Sequence, residues 1–140
     1  MPTVKVTGEP YALGFEPAGP LVHPSAVIGA DVEVGAGTVV AAGCHLTTNV
    51  RIGRSVMVNV GCIVSHDTAV GDWVTLSPAV RLNGDVLVGD SCFLGTGAIV
   101  VPGCRVGAGA VVGAGAVVLD DVAPGQTVAG VPARPLASDR

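Results

Sequence analysis

The apolar positions of the chain repeat with a period that is neither helical nor strand-like. From Val22 an aliphatic residue recurs at every sixth position: Val22, Ile28, Val34, Val40, Leu46, Ile52, Val58, Val64 and Val70, then Leu76, Leu82, Val88, Leu94, Val100, Val106, Val112 and Val118. Val, Ile and Leu fill 41 of 140 positions, so seventeen hits in one register have odds of about one in a billion by chance. An amphipathic helix would repeat at 3.6 residues and a half-buried strand at 2. A period of six marks a repeat architecture instead. Four residues after each aliphatic stands a small or β-branched side chain, from Ala26 and Val32 through Cys44, Cys62, Thr68, Cys92 and Cys104 to Ala116 and Val122. Three residues after it the column is rich in Gly, Asn, Asp and Ser, as at Gly37, Asn49, Asp67 and Gly103. Those residues accept positive φ at a tight corner.

Such a chain runs a short extended segment, turns a corner and repeats. Three segments close a triangular coil of about 18 residues, and coils stack through parallel-strand hydrogen bonds. The spacing predicts an all-β fold, a parallel β-helix of between five and six coils. At about 4.8 Å per coil the prism stands about 25–30 Å tall. Residues 22–123 form this domain, after an N-terminal extension (1–21) and before a C-terminal tail (124–140). The aliphatic and small columns point inward and fill a narrow interior. That accounts for an aromatic content of only 3% beside 21 glycines and 28 valines.

The outward residues sort into three faces. One carries Val39, Met57, Thr75, Phe93 and Val111; a second carries Val27, His45, Ile63, Arg81, Ile99 and Val117. The third carries Glu33, Arg51, Ala69, Leu87, Arg105 and Ala123 and reads as mostly solvated. Contiguous apolar outer faces on a monomer are a liability, so the first two predict self-association.

Charge narrows the partners. The formal net charge is −4 with seven basic residues scattered along the chain, which lacks the clustered footprint a nucleic acid needs. The first residues hold no apolar stretch of the signal-peptide kind. The uncharged runs Asp90–Arg105 and Arg105–Asp120 hold 14 residues each, short of the roughly 20 of a membrane span. A soluble, cytoplasmic protein is expected. All four cysteines fall in the small inward column, where a reduced thiol serves as a small apolar filler. The run Val106–Gly115 is glycine-rich but lacks the strand, helix and downstream acid of a dinucleotide site; its glycines belong to the corners.

Three histidines are candidates for chemistry. His23 stands where the first coil begins and is expected to cap or pack, and His45 projects from a face beside Val27 and Ile63. His66 occupies an outward corner about midway up the prism, immediately before Asp67. An imidazole beside a carboxylate that orients it has the parts of a general base. Gly84 lies 18 residues after His66, one coil above it, where its backbone N–H can polarise a carbonyl held beside the ring.

The repeat [LIV]-[GAED]-x-x-[STAV]-x resembles that of the hexapeptide-repeat acyltransferases, which implies a left-handed parallel β-helix packed as a threefold homotrimer. The segment from Val58-Asn59 to His66-Asp67, with Leu76-Ser77-Pro78 and Asn83-Gly84-Asp85-Val86, is similar to the sugar acetyltransferases of the sialic-acid and bacillosamine pathways. By that resemblance His66 is the base, Asp67 tunes it and Asn59 lies near the acceptor's amino group. Thr96 and Ala114 match positions lining the coenzyme A channel, and Gly84 and Thr75 also face the cofactor. Thr75 stands where the sugar-nucleotide enzymes often place a second His. Gly130-Val131-Pro132-Ala133-Arg134 resembles the tail that closes over coenzyme A, with Arg134 as a contact. Those enzymes usually carry an N-terminal α/β subdomain for the nucleotide-sugar, whereas here about twenty residues precede the coils.

The expectation is therefore a metal-free acyltransferase moving an acetyl group from acetyl-CoA to an amine or hydroxyl of a small polar acceptor, an amino sugar or its nucleotide-linked form. Two other readings stay open. A zinc hydratase of the γ-carbonic-anhydrase type shares the fold and would need three converging His. A non-catalytic trimeric scaffold would keep the prism without binding coenzyme A.

Overall fold

The computed structural model describes residues 5–7 and 18–137. Among them are twenty short strands, most of two residues, and no helix. They stack in three sheets that form the faces of a triangular prism, the parallel β-helix that the six-residue period predicts, and left-handed as the family resemblance implies. Sheet A holds the strands Arg51–Ile52, Ala69–Val70, Leu87–Val88 and Arg105–Val106; sheet B holds Met57–Val58, Thr75–Leu76, Phe93–Leu94 and Val111–Val112; sheet C holds His45–Leu46, Ile63–Val64, Arg81–Leu82 and Ile99–Val100. The register places each residue on the one eighteen positions on, as in Met57↔Thr75↔Phe93 and Ile63↔Arg81↔Ile99. These pairings reproduce the first two outward faces read from the sequence.

The corners explain why six residues suffice for each side. Positive φ recurs at every sixth residue from Asp31 to Gly115, among them Asn49 (52°), Asp67 (58°) and Asp85 (54°). Left-handed backbone at one residue per corner folds the chain by about 120° between sheets, and Gly, Asn and Asp adopt it at least cost. Inside, the aliphatic column and the small column are closed off from solvent: Val64, Leu76, Leu82 and Leu94 are 0% exposed, as are Cys44, Cys62, Ala98 and Ala110. Among the described residues no aromatic is buried. The buried Thr38 hydroxyl donates to Gly53 O and accepts from Val56 N–H, so a polar side chain enters the core fully partnered.

The ends depart from the six-residue period. Lys5–Thr7 pairs parallel with Glu33–Gly35, so sheet A has a rung before the first full coil. At the other end Val106 bridges to Val122, sixteen residues on. The last coil is thus two residues short, and Asp121 stands over Arg105, where its Oδ1 accepts the Arg105 N–H at 2.8 Å. The expected placement of Ala123 on the Arg105 face is corrected by that shift. Thr127–Ala129 then pairs parallel with Val111–Val112, and Arg134–Pro135 folds back antiparallel on it. The Val131–Pro132 peptide between them is cis. Parallel pairing therefore runs past both ends of the six-residue register, which holds from Val22 to Val118.

The corner between sheets A and B is tied vertically by carboxylates. Asp72 Oδ1 accepts the Arg54 N–H at 2.8 Å, and its Oδ2 takes the Arg54 guanidinium at 2.8 and 3.0 Å. Asp90 Oδ1 accepts the Asp72 N–H at 2.8 Å. The Arg54 backbone N–H, with its guanidinium, holds the Asp72 carboxyl below the usual carboxylate range.

Candidate active site

His66 leaves the corner between sheets C and A, between the strands Ile63–Val64 and Ala69–Val70. Its Nδ1 lies 2.8 Å from Asp67 Oδ2. A carboxylate can only accept, so Nδ1 carries the proton, and in the neutral ring Nε2 holds the lone pair. Both side chains are solvent-facing, 60% and 53% exposed. One coil below, the Asn49 side-chain amide donates to the other oxygen, Asp67 Oδ1, at 2.6 Å. The Asn49 amide first and the imidazole second hold the Asp67 carboxyl below its usual range. Sequence reasoning named Asn49 as a corner residue and missed this contact, although the spacing of 18 to Asp67 was there to be read.

One coil above, Gly84 is buried against the ring. A Cβ at this position would stand 2.8 Å from both Cε1 and Nε2 of His66. Gly84 also has φ of +36°, directly before the left-handed Asp85, whose N–H donates to His66 O at 2.8 Å. Two consecutive residues in positive φ make this corner unlike the others in its column. Among the described residues no acceptor is found for the Gly84 N–H.

The remaining expected site residues fall elsewhere on the prism. Asn59, Thr96 and Ala114 share the edge between sheets B and C; Thr96 and Ala114 stack there, with Gly115 N–H donating to Thr96 O at 2.8 Å. Thr75 faces outward on sheet B between Met57 and Phe93. Asn59 and His66 lie at opposite ends of one sheet C rung, separated by roughly 20 Å of extended chain. Arg134 sits at the far end of the prism beside a cavity of about 270 Å³, its Nη1 4.0 Å from Asp120 Oδ2. One chain thus gathers His66, Asp67 and Gly84 on one edge and Asn59, Thr96 and Ala114 on another. On sheet A, beside the His66 corner, a shallow groove of about 360 Å³ is lined by Ala69, Val70, Leu87 and Val88, with Arg105 at its upper end.

The other histidines and the cysteines play local parts. His23 Nδ1 accepts the Ser25 N–H and lies 2.8 Å from Ser25 Oγ, which takes the Gly43 N–H of the next coil. His45 is exposed on sheet C. The four cysteines are buried and unpaired, with Cys44, Cys62 and Cys92 Sγ donating to the carbonyls of Asn59, Ser77 and Gly107. The neighbouring Cys44 thiol and burial push the Cys62 thiol up, and burial does the same at Cys92 and Cys104. Among the described residues no three His, Cys, Asp or Glu side chains converge as metal ligands, and no helix is long and apolar enough to cross a membrane.

Comparison with known proteins follows the same lines. The bacterial transferase hexapeptide family (six repeats) matches residues 85–120. Curated protein sequences give no significant match. Among solved structures, a mutant of perosamine N-acetyltransferase from Caulobacter crescentus, in complex with CoA and GDP-perosamine, is 39% identical with a TM-score of 0.86, covering 89% of this chain and 59% of that one. The acetyltransferase domain of PglB from Neisseria gonorrhoeae is 38% identical with a TM-score of 0.86, covering 89% and 60%. A hexapeptide transferase family protein from Anaplasma phagocytophilum is 25% identical with a TM-score of 0.74, covering 98% and 85%. The chain spans about three fifths of the length of the first two. In its repeat and its coils alike, the chain is a hexapeptide-repeat β-helix protein, similar to the bacterial amino-sugar acetyltransferases.

Proposed function

We propose that the chain is an acyltransferase that moves an acetyl group from acetyl-CoA to the amine or hydroxyl of a small polar acceptor, an amino sugar or nucleotide-linked sugar, with His66 as general base. The observation that carries this reading is the His66–Asp67 pair set against Gly84. Asp67 lies 2.8 Å from Nδ1, and the absence of a side chain at Gly84 lets the Nε2 edge of the ring pack against a backbone whose N–H has no acceptor among the described residues. The coils that present this corner resemble those of sugar acetyltransferases solved with CoA or acetyl-CoA.

His66 Nε2 takes the proton from the acceptor as its nitrogen or oxygen attacks the thioester carbon. The Gly84 N–H donates to the oxyanion that forms. The C–S bond then breaks, and the thiolate leaves with the proton returned by the imidazolium. Asp67 stays ionised throughout and stabilises that imidazolium.

The same reading calls for a homotrimer. Asn59, Thr75, Thr96 and Ala114 are assigned to acceptor and coenzyme but lie on an edge and a face remote from His66. A second copy is needed to bring them beside it. Threefold packing of sheet C around an axis sets the His66 edge of one prism against the Asn59 edge of the next. The outward residues of sheet C, Val27, Ile63, Ile99 and Val117, are apolar enough for such a contact, and the Arg81 guanidinium is already held by Gly61 O at 2.7 Å. Arg134, at the end of the prism, is the contact for the coenzyme's distal part. We place the assembly in the cytoplasm, a reading that its four free thiols suit.

The test is thiol release from acetyl-CoA across amino sugars, nucleotide-linked sugars and sialic acids, with His66→Ala beside the wild type. Turnover with one acceptor, lost in the variant, supports the class and identifies the substrate. Turnover that survives in His66→Ala excludes His66 as the base. A chain that neither turns over nor binds coenzyme A is a scaffold. The zinc reading is the weaker one, because His23 stands two coils below Asn59 and His45 one coil below Ile63, so neither lies at the height of His66.

A further inference from the structure

The corner column that carries Asp67 reads Asp31, Asn49, Asp67 and Asp85, all with φ between 52° and 58°. Left-handed backbone alone does not select an amide here, since Gly, Ser and Asp serve equally well at other corners of the prism. What sets Asn49 apart is its contact, a side-chain N–H held 2.6 Å from Asp67 Oδ1 while Asp67 Oδ2 takes His66. We propose, building on the acetyl-transfer reading above, that Asn49 is a positioning residue: its amide pins the Asp67 carboxylate so that Asp67 fixes one tautomer and one orientation of His66.

The physical need for a pin follows from exposure. His66 and Asp67 are more than half exposed, and an exposed ion pair by itself gains little and samples several rotamers. No core packing holds the carboxylate in place. With one oxygen tied to the coil below and the other to the imidazole, the carboxylate plane is fixed and Nε2 is directed past Gly84. An Asp at position 49 would instead stack four carboxylates, at 31, 49, 67 and 85, about 4.8 Å apart per coil. The charged groups around the dyad are then Asp31 below, Asp85 above and His66 itself. Asn49 is the neutral donor in an otherwise acidic column.

Two substitutions keep the corner and separate the roles. Asn49→Gly tolerates positive φ and removes the amide. Asn49→Asp keeps size and backbone preference but replaces a donor with a carboxylate. Three properties are read in each: the dependence of kcat and KM on pH with acetyl-CoA and the identified acceptor, the His66 titration by NMR, and the melting temperature. Asn49→Gly is expected to lower kcat about tenfold with KM for acetyl-CoA within about twofold, because orientation and not binding is lost. Asn49→Asp adds an anion that favours the imidazolium, so the His66 titration and the acid limb of kcat/KM move up together by about half a pH unit or more. A wild-type His66 titration in Asn49→Asp, with kcat unchanged in Asn49→Gly, would overturn the proposal. The NMR titration needs no turnover. If the wild type transfers no acetyl group, the acetyl-transfer reading fails while the Asn49–Asp67–His66 coupling is still decided.

Discussion

The imidazole of His66 occupies the space that a side chain at Gly84 would fill, with Cε1 and Nε2 each 2.8 Å from where a Cβ would stand. Two features favour glycine in the coil above His66, the close approach and the φ of +36°. Gly84→Ala is expected to fold, since the imidazole is the free end of an exposed side chain and can swing aside. It is expected to lose about a hundredfold in kcat as the ring of His66, the proposed base, is pushed away from Gly84. The positive φ adds a destabilisation of about 1 kcal/mol. Thiol-release kinetics with a thermal melt check both; an unchanged kcat would remove Gly84 from the site.

Acid stability follows from two carboxylates. Asp67 and Asp72 are both held below their usual range, the first by the Asn49 amide and His66, the second by the Arg54 N–H and guanidinium. A carboxyl of lowered folded-state pKa contributes stability that is present above the unfolded value, about 3.9, and is lost as pH falls through the folded value. The chain is therefore expected to hold its urea midpoint from neutral pH down to about pH 4 and to lose it below. Asp72→Asn should lower the midpoint at pH 7 and flatten the acid slope. A variant with the wild-type slope would show that the Arg54–Asp72 tie does not carry this dependence.

The prism interior accepts methyl groups and little else. Leu76 is 0% exposed between Val58 and Leu94 in the stack. Leu76→Ala is expected to cost about 2–5 kcal/mol, read from denaturant midpoints. Val64→Phe, one coil from the centre of a core without aromatics, is expected to be worse tolerated than Val64→Ala, because the coil spacing fixed by the hydrogen-bond ladder leaves no room to expand. The reverse order would show that the coils can separate.

The buried cysteines make a chemical check on the same core. Cys44 and Cys62 are 0% exposed, Cys92 2% and Cys104 6%. In the native protein a thiol reagent should react slowly with all of them, limited by access. In denaturant without reductant, four thiols should react. Rapid labelling of the folded chain would mean that the coils open at the cysteine column.

Much of this was legible because each column of the repeat does one physical job. The aliphatic column fills the prism and the corner column turns the chain, so Val22 to Val118 could be placed on faces by counting to eighteen. The ends were not legible. Asp120 and Asp121 interrupt the period, and the two-residue deletion that puts Asp121 over Arg105 shows only in the pairing of Val106 with Val122. The Lys5–Thr7 rung joins Glu33–Gly35 from 28 residues away, a separation no six-residue count contains. The closeness of His66, Asp67 and Gly84 was legible because it is local to one corner and its neighbour above. Asn49 was passed over because a corner Asn reads as a turn residue, and its hydrogen bond depends on which way the amide points.

The division of the expected site residues between two edges makes oligomeric state the decisive property for activity. If sheet C lines a threefold axis, Ile63 and Ile99 are buried by neighbours in the assembly while Leu87 on sheet A stays in solvent. Ile63→Glu with Ile99→Glu should then yield monomers by light scattering, with the coils still folded by circular dichroism, and should abolish acetyl transfer even though His66, Asp67 and Gly84 are untouched. Leu87→Glu, a charge of the same size on the solvated sheet, should leave the assembly intact. Coupling of the two losses is the informative part. A monomer that retains turnover would mean that one chain completes the site alone, and Asn59, Thr96 and Ala114 would then lose their proposed place beside His66.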